Sequence, residues 1–189
     1  MKTVSMSGLL RANVGKKDAK LTRVSGKVPC VVYGGKEELH FAVDEKELQT
    51  IIFTPYTFLV NLDIEGRKIT AIVQDVQYHP VSDKTLHVDF LEVTPGKPII
   101  TSLPIRIEGN SVGVLRGGKL VKKFRKLKVK GLFEHMPEEI KINITNMEIN
   151  DVVKVSDIKI PNIQLLDVPN NMVVSVASTR AVEPIVPGK

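Results

Sequence analysis

Phe58-Leu59-Val60-Asn61-Leu62-Asp63-Ile64-Glu65-Gly66-Arg67-Lys68-Ile69-Thr70-Ala71-Ile72-Val73 is the stretch from which the fold can be read. Phe58, Val60, Leu62 and Ile64 are apolar at every second position. Ile69, Ala71 and Val73 repeat the pattern beyond Glu65-Gly66-Arg67. A period of two gives a strand one core face and one wet face. Two such runs around a short glycine-bearing turn form an antiparallel hairpin.

The neighbouring sequence extends the same reading. Residues 4–11 form a first strand, followed by a stretch at 12–26 too rich in Lys, Gly and Ser for a core and read as a loop. Val28-Pro29-Cys30-Val31-Val32-Tyr33 is an apolar run closed by Gly34-Gly35, a buried strand with its turn. Leu39, Phe41 and Val43 alternate. Asp44 then opens a short helix as its N-cap, with Glu47 at the capping-box position and Leu48, Ile51 and Ile52 on one face. After the hairpin, segments 74–79 and 86–93 are joined by Pro80-Val81-Ser82-Asp83-Lys84.

The fold class is mainly β: a small N-terminal β-barrel with one or two short helices, then a second β-rich domain. Thr94-Pro95-Gly96-Lys97-Pro98 reads as a linker, dividing the chain into domains at 1–94 and 95–180. Ile99, Thr101, Leu103, Ile105 and Ile107 begin the second, with further strands expected at 126–132, 140–145, 152–155 and 173–177. Residues 181–189, with Pro184 and Pro187, are expected to be a flexible tail.

Charge is more informative in its placement than in its total. The chain of 189 residues carries a net +6. Residues 1–30 hold Lys2, Arg11, Lys16, Lys17, Lys20, Arg23 and Lys27 against Asp18, a local +6. Residues 116–130 hold Arg116, Lys119, Lys122, Lys123, Arg125, Lys126, Lys128 and Lys130 with no acid, a local +8, which leaves the remainder at −8. Two basic segments on an acidic body suggest docking to a polyanion. The plainer alternatives are a solvated loop for the first and a lysine-guarded edge strand for the second. With Cys30 the only cysteine, no intramolecular disulfide can form, and a reducing, cytoplasmic setting is expected. Met1-Lys2-Thr3-Val4 opens no apolar leader, and no apolar run approaches the roughly 20 residues of a membrane helix.

His87-Val88-Asp89-Phe90 is the sharpest candidate site. Strand alternation sends Val88 and Phe90 to the core and presents His87 and Asp89 together on the outside. Such a pair can be a base with its orienting group, two metal ligands, surface polarity, or hydrogen-bonding groups for a ligand. No nucleophile motif surrounds it, and His40, His79 and His135 supply no companion metal spacing. Gly113-Val114-Leu115-Arg116-Gly117-Gly118-Lys119 lacks phosphate-loop spacing, because Leu120 follows the lysine, and reads as a turn. No cofactor, metal or small-molecule substrate is expected.

The basic stretch Arg11, Lys16, Lys17, Lys20 and Arg23, with Gly15 and Gly26, suits a phosphate backbone through counterion release. Aromatic residues make up 5% of the chain, with no Trp, which argues against a base-stacking platform and for folded, helical RNA. On such a partner, Asp89 gains only by accepting hydrogen bonds from base edges, and Gln74 and Gln77 add neutral ones.

Four segments resemble the bacterial large-subunit ribosomal protein twenty-five family: Arg11-x-x-x-Gly15-Lys16; Arg23-x-x-Gly26-Lys27-Val28-Pro29-Cys30-Val31-Val32-Tyr33-Gly34; Gln74-Asp75-Val76-Gln77-Tyr78-His79-Pro80; and Leu86-His87-Val88-Asp89-Phe90. Gly117-Gly118-Lys119-Leu120, Met136-Pro137-Glu138-Glu139-Ile140 and Val153-Lys154-Val155-Ser156-Asp157-Ile158 resemble its long form, called CTC or general stress protein. The resemblance implies a ribosome-associated structural protein, not an enzyme, whose barrel docks on the loop E region of 5S ribosomal RNA. It implies RNA contacts at Arg11, Arg23, Tyr33, His87 and Asp89, with Gln74 and Gln77 as neighbours. The family usually has two adjacent arginines where Leu21-Thr22-Arg23-Val24-Ser25 has one, and Lys20 stands ready to share that role with Lys16 nearby. A transfer-RNA-binding barrel is the alternative within nucleic-acid binding, because the family's barrel resembles the anticodon-binding barrel of glutaminyl-tRNA synthetase. A hydrolase or metal enzyme built on His87 and Asp89 is the alternative outside it. Segment 116–130 has neighbouring RNA or a ribosomal protein as its possible partners.

Overall fold

The computed structural model describes residues 2–35 and 37–179, so the expected tail at 181–189 lies outside the described residues. The chain forms two compact units: one reaches Ile99 and includes Leu132–Glu138, the other comprises Ile100–Gly131 and the chain from Glu139 onward.

Six strands close the barrel: β1 (Lys2–Leu10), β2 (Lys27–Tyr33), β3 (Leu39–Asp44), β4 (Phe58–Ile64), β5 (Arg67–Tyr78) and β6 (Thr85–Glu92), with α1 (Lys16–Val24) between β1 and β2 and α2 (Glu45–Ile52) after β3. Their order around the barrel is β1-β3-β2-β6-β5-β4, and the parallel pairing of β1 with β4 closes the ring, leaving no open edge. The decisive hairpin forms as its pattern requires: Val60, Leu62, Ile64 and Ala71 are buried, and Ile64 pairs with Arg67. Its two turn residues, Glu65 and Gly66, both have positive φ, 49° and 87°, which a twisted two-residue hairpin demands.

The barrel is filled by Val28, Cys30, Val32, Phe41, Val43, Leu48, Ile51, Val88 and Phe90, among others. Phe41 and Phe90 meet at its centre, ring centroids 5.7 Å apart and tilted by 40°. Gly8 is small for a reason: a Cβ there would lie 2.7 Å from a ring carbon of Phe41. Asp44 does cap α2, accepting from the Lys46 N–H at 2.9 Å, while Leu48 and Ile51 close the end of the core.

Two sequence expectations need correction. The stretch 12–26 is not all loop, since α1 occupies its centre. The return from the hairpin and segment 74–79 are not separate strands but one twelve-residue strand, β5. A bulge after Val73 lets the chain change register while continuing along the barrel.

The second unit is also β-rich. Strands β7 (Ile99–Glu108), β9 (Lys126–Gly131), β10 (Ile140–Asn143) and β12 (Ile163–Leu165) form a sheet ordered β10-β7-β9-β12. Strands β8 (Lys119–Lys122), β11 (Val152–Lys154) and β13 (Met172–Ala177) form another, ordered β11-β13-β8. Leu103, Ile105, Leu127, Val129, Ile140, Ile142, Val173, Val174 and Val176 are buried. The glycine segment read as a turn contains a one-turn helix, α3 (Val112–Leu115), capped by the Ser111 hydroxyl. Strands β8 and β12, four and three residues long, are too short to show a period.

Candidate nucleic-acid interface

Three adjoining strands, β2, β6 and β5, make one outer wall of the barrel, with β6 in the middle. Cys30 pairs with Val88 and Val32 with Phe90, all buried, so the residues between them face outward. The resulting ladder sets Val31 beside Asp89, Asp89 opposite Asp75, and His87 opposite Gln77. Tyr33 follows Val31 by two along β2 and is half-buried on the same wall.

On that wall the His87 Nδ1 lies 2.7 Å from Asp89 Oδ1. In that contact the Nδ1–H donates to the Asp89 carboxylate, and Nε2 is left for a partner. Both side chains remain partly exposed, at 27% and 28%, so the pair is fixed yet reachable. Burial, then the carboxylates of Asp89 and Asp75, push the Tyr33 phenol above its ordinary range, so its hydroxyl stays a donor. The wall therefore offers a phenol donor, an imidazole nitrogen, two carboxylates and the Gln77 amide, which can both donate and accept.

Asp75 was not among the site residues expected from sequence. Gln74 and Gln77 were, but they are three apart and cannot share a face of a regular strand. Parity counted from Gln77 points to Asp75 instead. The bulge enforces this: Val73 pairs with Phe90 and Asp75 with Asp89, leaving Gln74 exposed without a cross-strand partner.

One polar bond, from Arg23, ties α1 to this wall, and another, from Arg11, ties it to the end of β1. The Arg11 Nε donates to Asp18 Oδ2 at 2.9 Å and the Arg23 Nε to the Leu86 carbonyl, also at 2.9 Å, while within the helix the Thr22 hydroxyl donates to the Asp18 carbonyl at 2.9 Å. Asp18 in the first turn and Arg23 in the last both suit the helix dipole. No residue of α1 is buried, and Leu21 and Val24 are 69% and 78% exposed. This is why the sequence showed no helix: the stabilising contacts are with distant residues, and no apolar stripe faces the core. Arg11 is nearly covered, its side chain 9% exposed and engaged with Asp18. Lys16 and Lys20 are exposed and project from the helix, while Arg23 holds α1 against the residue before His87.

His79, in the segment that ends β5, has a structural use. Its Nδ1 accepts from the backbone N–H groups of Val81 and Ser82, at 3.3 and 3.2 Å, and shapes the turn into β6. Among the described residues no group of three or more His, Cys, Asp or Glu is arranged to hold a metal ion.

The Ribosomal L25p family model matches residues 6–90, the barrel, and that of the ribosomal protein TL5 C-terminal domain matches residues 98–180. The large ribosomal subunit protein bL25 of Azobacteroides pseudotrichonymphae is 41% identical over 181 residues, covering 95% of this chain and 96% of that one. The chain belongs to the ribosomal L25p family, in its long two-domain form. Other members are comparably close: bL25 of Bacteroides fragilis is 40% identical over 90% of this chain and 87% of its own. That of Porphyromonas gingivalis is 38% identical over 96% and 95%. As an L25p protein the chain is structural and not enzymatic.

Proposed function

We propose that this L25p protein binds 5S ribosomal RNA through its barrel, on the irregular loop E helix. By its family it is a structural component of the large ribosomal subunit. The domain at 1–94 carries the docking, and the domain at 95–180 follows it. The observation that carries the reading is the joint placement of the His87–Asp89 pair, Gln77, Asp75 and Tyr33 on one wall, flanked by the exposed cations of α1.

Lys16, Lys20 and Arg23 neutralise phosphates and set the orientation; Arg11 holds Asp18 and so steadies α1. Asp89 and Asp75 accept from base amino and imino groups, Tyr33 donates, and Gln77 does either, as does Gln74, exposed at the bulge. Carboxylates in an RNA-facing wall repel phosphate, so they favour a partner whose base edges lie in an open groove, as in an irregular helix. A transfer RNA barrel would use the same cations but not the same reading groups.

Chemical footprinting of the full chain on 5S ribosomal RNA tests this. Protection is expected on base edges of the irregular helix, and it should weaken at those bases in Asp89→Asn while phosphate protection persists. Protection confined to phosphates along regular helices would sink the base-reading role.

A further inference from the structure

The second basic segment, residues 116–130, divides into three parts in the fold. Lys119 and Lys122 lie on β8, an edge strand of its sheet, where lysines discourage strand addition. Arg116 pairs with Glu148 at 3.7 Å, and the Lys122 ammonium donates to the Ile105 carbonyl at 2.6 Å. Lys126, Lys128 and Lys130 are different. They lie on β9, which is interior to its sheet, between β7 and β12, so guarding an edge does not explain them.

Along β9 the burial strictly alternates. Leu127, Val129 and Gly131 are buried, while Lys126, Lys128 and Lys130 are exposed on one face. Alternate residues of a strand are roughly 6.5–7 Å apart, so the row presents three ammonium groups at a regular interval comparable with successive phosphates of one RNA strand. Among the described residues none of the three is in an ion pair. A carboxylate does stand beside the middle of the row: Asp167 Oδ2 accepts the Lys128 backbone N–H at 2.8 Å, which occupies that oxygen. Of the unit's other cations, Arg106 is matched with Glu139 at 3.3 Å and Lys141 with Glu108 at 2.9 Å, whereas Lys119, Lys123 and Arg125 are, among the described residues, in no ion pair either. Gln164 stands opposite Lys130 and adds a neutral hydrogen-bonding group to the row.

We infer that the outer face of β9 is a second RNA-docking surface, in which Lys126, Lys128 and Lys130 track the phosphate backbone of a helix other than the one read by the barrel. The row has charge and regular spacing, and the Asp167 oxygen beside it is engaged by the Lys128 N–H, so its recognition is of phosphates and independent of sequence. An unmatched row of like charges costs self-repulsion in the free protein, which a polyanion relieves.

The test uses the full chain and a regular RNA duplex containing no 5S sequence. Binding is measured across a series of KCl concentrations for the wild type, for K126Q/K128Q/K130Q, and for each set in a K16Q/K20Q background. Losing three phosphate contacts should flatten the slope of log K against log[salt] by about 2–3. In the K16Q/K20Q background the triple change should remove most of what binding remains. Acylation of the wild-type lysines should show Lys126, Lys128 and Lys130 protected by the duplex, a readout that needs no variant to fold. An unchanged slope, or undiminished acylation with RNA bound, overturns the proposal. Loss of binding to polyglutamate with duplex binding intact also overturns it, assigning the row to an acidic protein. The 5S-specific role of the barrel is read separately by Asp89→Asn, so the two proposals can fail independently.

Discussion

His87 Nδ1 and Asp89 Oδ1, two residues apart on one strand, are joined at 2.7 Å on the outside of the barrel, where neither side chain is needed by the core. The bond fixes which imidazole nitrogen faces outward and holds the carboxylate at a set angle. Asp89→Asn keeps the shape and removes the charge. It should cost about 1–3 kcal/mol of discrimination between 5S RNA and an RNA altered in the irregular helix, while changing the salt slope little. Filter binding to both RNAs across a salt series measures this, and a loss shared equally by the two RNAs would refute it.

Asp75 faces Asp89 directly across the ladder, and like charges so placed destabilise a sheet. Asp75→Asn should therefore stabilise the free protein by roughly 0.2–1 kcal/mol. Its amide oxygen can still accept the Val76 N–H that the carboxylate accepts now at 2.9 Å. The same variant should bind 5S RNA more weakly. Denaturant melts and binding assays on one preparation give both numbers, and a variant that is less stable and binds normally would contradict the assignment.

Asp18 carries no RNA contact in this account but anchors α1 through Arg11. Asp18→Asn should speed amide exchange in α1 and weaken RNA binding, although it removes a negative charge from the interface. Simple electrostatics predicts the opposite sign, tighter binding, so an affinity measurement decides between the two.

Burial, followed by Asp89 and Asp75, raises the Tyr33 phenol above 10.0. The unfolded chain loses this proton first as pH rises. The contribution to stability is thus complete below about pH 10 and is lost as pH climbs through the folded value. Tyr78 is also raised, by burial and then Asp75, so ultraviolet titration should show two late-titrating phenols in the wild type and one in Tyr33→Phe. In Asp89→Asn the Tyr33 phenol should move only part of the way down, because desolvation is the larger cause. A full return to the ordinary value would reverse the ranking of causes.

Much of the barrel was legible because its strands obey a period of two against a single core. Leu62 facing Ile69 and Val60 facing Ala71 across a Glu65-Gly66 turn left little room for another arrangement. The His87–Asp89 pair was legible for the same reason, since Val88 and Phe90 fix the parity of β6. What escaped depended on contacts with no local signature. α1 is held by Arg11 and the Leu86 carbonyl, not by an apolar stripe. Asp75 was hidden because the bulge after Val73 resets parity, so the two glutamines drew attention away from the carboxylate between them. In the second unit, the lysines of β8 and β9 look alike in sequence, and only the strand order separates an edge from an interior strand.

The central claim, that the β2–β6–β5 wall reads 5S ribosomal RNA, is tested most directly by competition. Full-length protein bound to labelled 5S RNA is challenged with unlabelled 5S RNA and with bulk transfer RNA, in parallel for wild type and Asp89→Asn. The account predicts that transfer RNA fails to displace 5S RNA from the wild type at concentrations where unlabelled 5S RNA succeeds, and that the gap narrows by about tenfold or more in the variant. Equal displacement by both RNAs from the wild type would contradict it.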